Sequence, residues 1–279
     1  MTLAGKVALV TGAGSGIGKA TALRLAAEGV RIGALSDTEE EVRETAEEIR
    51  AAGGEAVHLF ADVGNADHMQ DAVARLVQAF GRVDIAIANA GINGIQAPID
   101  EITPQEWDET INTNLRGSFL TLKLTVPHMK KAGAGAVVLV SSINGTRSFS
   151  NAGATAYACT KAAQVAMAQM TALELAKHKI RVNAVCPGSI ETEIEENTTW
   201  RNADRIKEPA EFPEGQIPLT RGQSGKSEDV AELILFLVSD RARHITGHAR
   251  LDPWRPVSAR RLTGPRCSWQ SRTLRSLRR

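Results

Sequence analysis

KVALVTGAGSGIGKATALRLAAEG, residues 6–29, passes from an apolar, β-prone run into a cluster of glycines and then into apolar residues at helical spacing. The order is strand, glycine turn, helix. Gly12, Gly14, Gly16 and Gly18, with Ser15 and Ile17 between them, allow positive φ and let a backbone approach a pyrophosphate. The helix that follows directs unpaired N–H groups at the anion. A glycine pattern alone is a weak signal; its place between a strand and a helix gives it weight.

Working outward, VRIGAL (30–35) ends at Ser36-Asp37 ahead of a charged helix, and AVHLF leads into Asp62-Val63. Then come a helix over 66–80, VDIAIANAG (83–91), a helix over 104–131, AVVLVSS (136–142), a helix over 154–178 and RVNAVCPG (181–188). Near-continuous apolar strands separated by helices predict parallel strands buried on both faces. The expected fold class is α/β, a doubly wound, Rossmann-like parallel sheet in a single domain over 1–248, with ligands at the carboxyl ends of its strands. Residues 189–226 break the rhythm with three prolines and two aromatics, and are read as a substrate-covering flap. A last helix, 227–240, is expected to start on a Ser227 cap.

Asp37 closes the second strand. A carboxylate there accepts hydrogen bonds from ribose hydroxyls and repels a 2′-phosphate, and no arginine stands at the strand end. NAD is preferred on this reading, with NADP possible. The competing role for Asp37 is a helix N-cap.

GATAYACTKAA (153–163) holds the only tyrosine of the 279 residues. On a helix, Tyr157 and Lys161 lie one above the other, since four residues advance by about 400° and about 6 Å. A phenol titrates near about 10, and an adjacent cation lowers that by about 1–3 units, which makes the pair an acid/base device. Cys159 falls on the far face and is expected to serve packing.

The composition, 43% hydrophobic and 23% charged, is that of a soluble globular chain. No window approaches a membrane span and no leader precedes the first strand, so a cytoplasmic setting is expected. Three cysteines form no disulfide framework, and the histidines form no metal set: His244 and His248 are separated by Thr246-Gly247. Residues 249–279 carry nine arginines, no lysine and one acid, a local +8 that leaves −7 for the first 248 residues of a chain whose net charge is +1. An acidic body argues against nucleic acid as a partner.

Together these stretches resemble the short-chain dehydrogenase/reductases over about residues 4–248. TGAGSGIG is similar to the family's glycine turn, IANAG (87–91) to its NNAG segment, Asn114 to its helix asparagine, Ser142 to its serine, Tyr157 and Lys161 to its YxxxK, and Pro187-Gly188 to its PG turn. The resemblance implies hydride transfer between NAD(P) and a secondary alcohol or ketone. Tyr157 would exchange the hydroxyl proton, Lys161 would lower the tyrosine and bond the nicotinamide ribose, Ser142 would hold the substrate oxygen, and Asn114 would support a water chain. Gly12, Ser15, Gly16, Ile17 and Gly18 would line the pyrophosphate, Asp62 and Val63 would flank the adenine, and Asn89, Ala90 and Gly91 would border its ribose. Ile190 and Thr192, past Pro187 and Gly188, would meet the carboxamide. A homo-oligomer, dimer or tetramer, is implied as well.

Three features depart from the family pattern. Fifteen positions separate Ser142 from Tyr157, a longer run than usual, and Ser141 is the rival for the serine role. Asp37 sits at an offset from the usual cofactor-selecting position. After HITG (244–247) the chain reads HARLDPWRPVSARR, unlike the seventh strand expected there, and is read as an altered or replaced end, with a natural basic tail as the alternative. An NADPH-dependent 3-oxoacyl thioester reductase and a non-catalytic nucleotide-sensing or scaffold protein are the competing functions. The substrate pocket is expected from residues 93–98, the 143–155 loop and the flap.

Overall fold

Strand and helix alternate along a computed structural model that describes residues 3–146, 152–195, 198–206 and 223–251. β1 (Val7–Thr11), β2 (Arg31–Ser36), β3 (Ala56–Phe60), β4 (Ile85–Ala88), β6 (Gly135–Val140), β7 (Ile180–Cys186) and β9 (Ala249–Leu251) form one parallel sheet in the order β3-β2-β1-β4-β6-β7-β9. α1 (Gly16–Ala27), α2 (Glu39–Ala51) and α7 (Ser227–Val238) pack on one face; α3 (Ala66–Phe80), α5 (Gly117–Ala132) and α6 (Thr155–Leu175) pack on the other. Alternation along β1 explains both cores. Val7 and Leu9 join the α3–α5–α6 side, and Ala8 and Val10 join the α1–α2–α7 side.

The strand order reverses between β1 and β4, and a crevice opens at that point beyond the carboxyl ends. Thr11 ties the two ends together: its hydroxyl donates to the Ile87 carbonyl at 3.2 Å and accepts the N–H groups of Asn89 and Ala90 at 3.0 and 3.1 Å.

Local signals set most boundaries. Asn65 caps α3 by accepting from Asp67 and His68, and Gly81 ends it in the left-handed region at φ 78°. The helix expected over 104–131 is instead α4 (Pro104–Thr110), a π-turn (Ile111–Arg116) and α5. π-turns of this kind gather at functional sites. α7 has its N-cap at Lys226, whose N–H is accepted by the Asp229 carboxylate at 2.9 Å. Ser227, expected as that cap, lies inside the helix and turns its hydroxyl to the Glu191 carbonyl at 3.4 Å. The segment from 249, which reads unlike a strand, extends the sheet for three residues, pairing Ala184 with Ala249 and Cys186 with Leu251. Parallel pairing recruits backbone groups, which a basic, proline-containing sequence does not conceal.

The 189–226 segment, expected as a flap, is joined to the body by a second, two-stranded sheet of β5 (Ile95–Gln96) and β8 (Thr199–Trp200). Beside it, Arg201 grips Glu106 with two bonds of 2.9 and 3.0 Å and also reaches the Glu101 carbonyl. The Arg201 guanidinium and the Thr103 N–H hold the Glu106 carboxyl at about 2. A lowered carboxylate stabilises above its unfolded value and loses that contribution as pH falls toward its folded one. Glu106→Gln is therefore expected to lower the melting temperature by about 1–3 °C at pH 6. The gap between variant and wild type should close as scans are taken below about pH 4.

Candidate active site

A cavity of about 630 Å³ runs along the carboxyl edge from Asp37 and Glu41 at one end to Ser142, Tyr157 and Lys161 at the other. The glycine turn forms its floor. Gly12 and Gly16 hold φ of 64° and 51°, and a Cβ on Gly12 would lie 2.9 Å from the Ala90 Cα. Gly18 stands behind that wall, where a Cβ would fall 1.8 Å from the Gly12 carbonyl oxygen. Ser15 precedes α1 with its side chain making no cap bond, and it lines the cavity with Ile17. A floor stripped of side chains at a helix N-terminus fits a pyrophosphate.

At the far end of β2, Asp37 lines the cavity and does not cap α2; the N-cap position belongs to Thr38. Glu41, in the first turn of α2 and not singled out by any sequence motif, reaches the same wall. Burial raises its carboxyl, and the charges of Glu193 and Asp37 add to the effect. Lys161 is the only cation among the described lining residues, and at the acidic end the charge of Lys19 opposes the rise of the Glu41 carboxyl.

Val63 lines the cavity and Asp62 does not: the Asp62 carboxylate turns back to accept the Gly64 N–H at 2.8 Å. An aspartate so close to its own loop amides folds onto them, which spacing along the chain does not reveal. Asn89 faces the glycine turn, donating to the Thr11 and Gly12 carbonyls at 3.0 and 3.2 Å, while Ala90 and Gly91 continue the wall. Pro187, Gly188, Ile190 and Thr192 form the opposite side, with Thr192 side-chain atoms 3.4 Å from where a Gly16 Cβ would stand.

β6 delivers two serines. Ser141 also borders the cavity, but its hydroxyl proton goes to the Lys161 carbonyl at 2.7 Å. Ser142 faces the cavity, and its hydroxyl is hydrogen-bonded to that of Tyr157. Lys161 Nζ lies 5.4 Å from the Tyr157 ring centroid and donates to the Val140 carbonyl at 2.9 Å. The expected lowering of Tyr157 by Lys161 is reversed: burial raises the phenol, with the Ser142 bond opposing it. Burial also brings Lys161 down to about 8. Counting the cation alone neglects that a dry site disfavours phenolate and ammonium together.

Asn114 sits on the π-turn behind the wall, fully buried. Its side chain accepts the Ile92 N–H at 2.8 Å and donates to the Ile92 carbonyl and to Thr160. All three of these side-chain bonds go to protein partners. Beneath Lys161, burial pushes the Cys186 thiol up to about 11. Cys159, expected as packing, is exposed on the outer side of α6.

The three segments expected to bound the substrate converge. The Ala97 N–H donates to the Gly153 carbonyl at 3.3 Å, and a Gly153 Cβ would touch Ile206. Residues 147–151, 196–197 and 207–222 of the loop and flap lie outside the described residues. Among the described residues, no helix is long and apolar enough to cross a membrane.

Residues 6–202 match the family described as short chain dehydrogenase. A 3-oxoacyl-[acyl-carrier-protein] reductase FabG of Thermotoga maritima is 40% identical over 247 residues, covering 88% of this chain and 96% of that protein. The crystal structure of a 3-ketoacyl-ACP reductase from Sinorhizobium meliloti is 61% identical, with a TM-score of 0.84 over 88% of this chain and 96% of that one. A 3-ketoacyl-(acyl-carrier-protein) reductase from Brucella melitensis, complexed with NADH, is 32% identical, with a TM-score of 0.78 over 89% of this chain and 97% of the other. The chain belongs to the short-chain dehydrogenase/reductase family and is an NAD(P)-dependent oxidoreductase acting on a CH–OH or keto group.

Proposed function

We propose that the protein is an NAD-preferring dehydrogenase or reductase of a small or medium secondary alcohol or ketone, with Ser142, Tyr157, Lys161 and Asn114 as its catalytic set. The observation that carries this is the hydroxyl pair of Ser142 and Tyr157 at the same cavity edge as Lys161, opposite an acidic adenosine end. Bound NAD supplies the hydride acceptor, and NADH the donor. The glycine turn, Val63, Asn89 to Gly91, and the stretch from Pro187 to Thr192 would hold it. Ser142 receives the substrate oxygen and fixes its distance from Tyr157. Tyr157 takes the hydroxyl proton in oxidation and returns it in reduction. Lys161, adjacent to the phenol, offsets the charge that forms there. Asn114 anchors the turn that backs this group.

The flap over 189–226 serves as substrate cover of one catalytic domain, and the strand after His248 completes its sheet. Exposed apolar residues on α5 and α6, Phe119, Met170 and Leu173, support a homo-oligomer. A cytoplasmic setting suits a dinucleotide-dependent enzyme, with neither nucleic acid nor membrane as partner. Reduction of a 3-oxoacyl thioester is the second reading, favoured by what the relatives are named for.

Nicotinamide absorbance, followed for a panel of secondary alcohols, their ketones and a 3-oxoacyl thioester with NAD and NADP in parallel, tests both readings. The expected result is kcat/KM at least about tenfold higher with NAD, a preference that Asp37→Asn narrows. Faster turnover with NADP would remove the cofactor assignment. Exclusive turnover of the thioester would replace the first substrate reading with the second.

A further inference from the structure

α6 carries a further buried polar pair beside its catalytic residues. Thr160 and Gln164 are each 0% exposed. Thr160 Oγ1 donates to the Tyr157 carbonyl at 2.7 Å and accepts from Asn114 Nδ2 at 3.1 Å. Gln164 Nε2 donates twice, to the Asn114 carbonyl at 2.9 Å and to the Ser118 hydroxyl at 2.8 Å. That hydroxyl places its own proton on the same carbonyl at 2.7 Å. The triangle occupies both lone pairs of the Asn114 carbonyl and fixes which end of the amide is nitrogen, because a carbonyl can only accept.

Packing does not account for an amide here. Gln164 Oε1 is buried with no partner, a cost that a methionine or leucine of similar volume would avoid. What the amide provides is its pair of N–H groups, aimed at the turn where the helix departs from α geometry. We propose that Gln164 is a positioning residue: it locks the π-turn at Asn114 onto α6 and so sets the seat of Tyr157 and Lys161. It touches neither reacting group. It acts through Asn114 and Ser118 on the side of the helix junction away from the cavity. The inference rests on Tyr157 being the proton-transfer group.

Because Tyr157 is the only tyrosine of the chain, ultraviolet titration of phenolate reads that one group in cofactor-free protein, without turnover. The groups facing it are Lys161 on its own helix and Ser142 from the end of β6, with Cys186 of β7 beneath Lys161. In Gln164→Met, a loosened junction admits water to the phenol. Its titration midpoint should fall by about 0.5 unit or more. The matching limb of the pH–rate profile should move with it, and kcat should fall about tenfold with KM held within about twofold. A folded Gln164→Met protein whose titration and pH–rate profile superimpose on wild type overturns the proposal. If that variant does not fold, Ser118→Ala, which opens the same triangle, is read the same way: a shift in the same direction supports the proposal, and coincidence with wild type overturns it. Tyr157→Phe run in parallel separates the two claims, since retained turnover there refutes the proton-transfer reading while the optical titration still decides whether Gln164 seats the phenol.

Discussion

Tyr157→Phe is expected to lower kcat by about 10²–10⁴ with dinucleotide affinity within about twofold of wild type, as read by steady-state kinetics and by titration of NADH fluorescence. The magnitude follows from what the substitution removes. Phenylalanine keeps the ring, the packing above Lys161 and the cavity shape, and loses only the hydroxyl bonded to Ser142. Among the described residues no second acid stands beside the phenol: Cys186 is buried beneath the site with its thiol held at about 11, and Glu41 lines the acidic end beside Asp37 and Glu193. Wild-type turnover in the phenylalanine variant would show that the proton moves by another route.

Lys161→Met should produce two effects of opposite sign. Turnover is expected to fall by at least about 10², because the cation beside the phenol is gone. The cofactor-free fold is expected to gain stability. Lys161 is buried, 3% exposed, and burial brings it to about 8 from 10.5, so the unfolded chain holds the extra proton between those values and stability of the wild type rises with pH across that window. Below about pH 8 the full cost of the buried ammonium is present. Its upper bound is about 3 kcal/mol, from which the lost bond to the Val140 carbonyl must be subtracted. Melting scans at pH 7 should therefore place Lys161→Met above wild type, with the advantage shrinking as the pH approaches 10.5. A variant that melts lower at pH 7 would mean that the ammonium supports the fold through bonds stronger than its burial cost.

Much of this architecture was legible along the chain because it rests on local rules. Glycine at positive φ, apolar periods of two and 3.6, and the four-residue step between Tyr157 and Lys161 are properties of a backbone and its nearest neighbours. They fixed the parallel sheet, the helix over 66–80 and the cavity's place at the strand ends. Ser142 could be preferred to Ser141 on spacing alone, but only the packed β6–α6 junction shows one serine turned to the Lys161 carbonyl and the other to Tyr157.

What lay beyond local rules depended on neighbours distant in sequence. The strand at 249 exists through hydrogen bonds to β7, sixty-five residues earlier at Ala184 and Ala249. The break in the long helix at Asn114 is held by Ile92, Thr160 and Gln164, none of them within twenty residues of it. Direction of the Tyr157 shift could not be read from its partner in sequence either, since desolvation is set by everything that surrounds a group. The sequence by itself determined the fold class and the glycine turn and singled out Ser142, Tyr157 and Lys161 as candidates, because these follow from short-range geometry and chemistry. The tertiary structure alone decided how dry the reacting pair is, which carbonyls and amides seat it, and that Glu41 joins Asp37 at the acidic end, because burial and long-range contacts exist only once the chain has closed on itself.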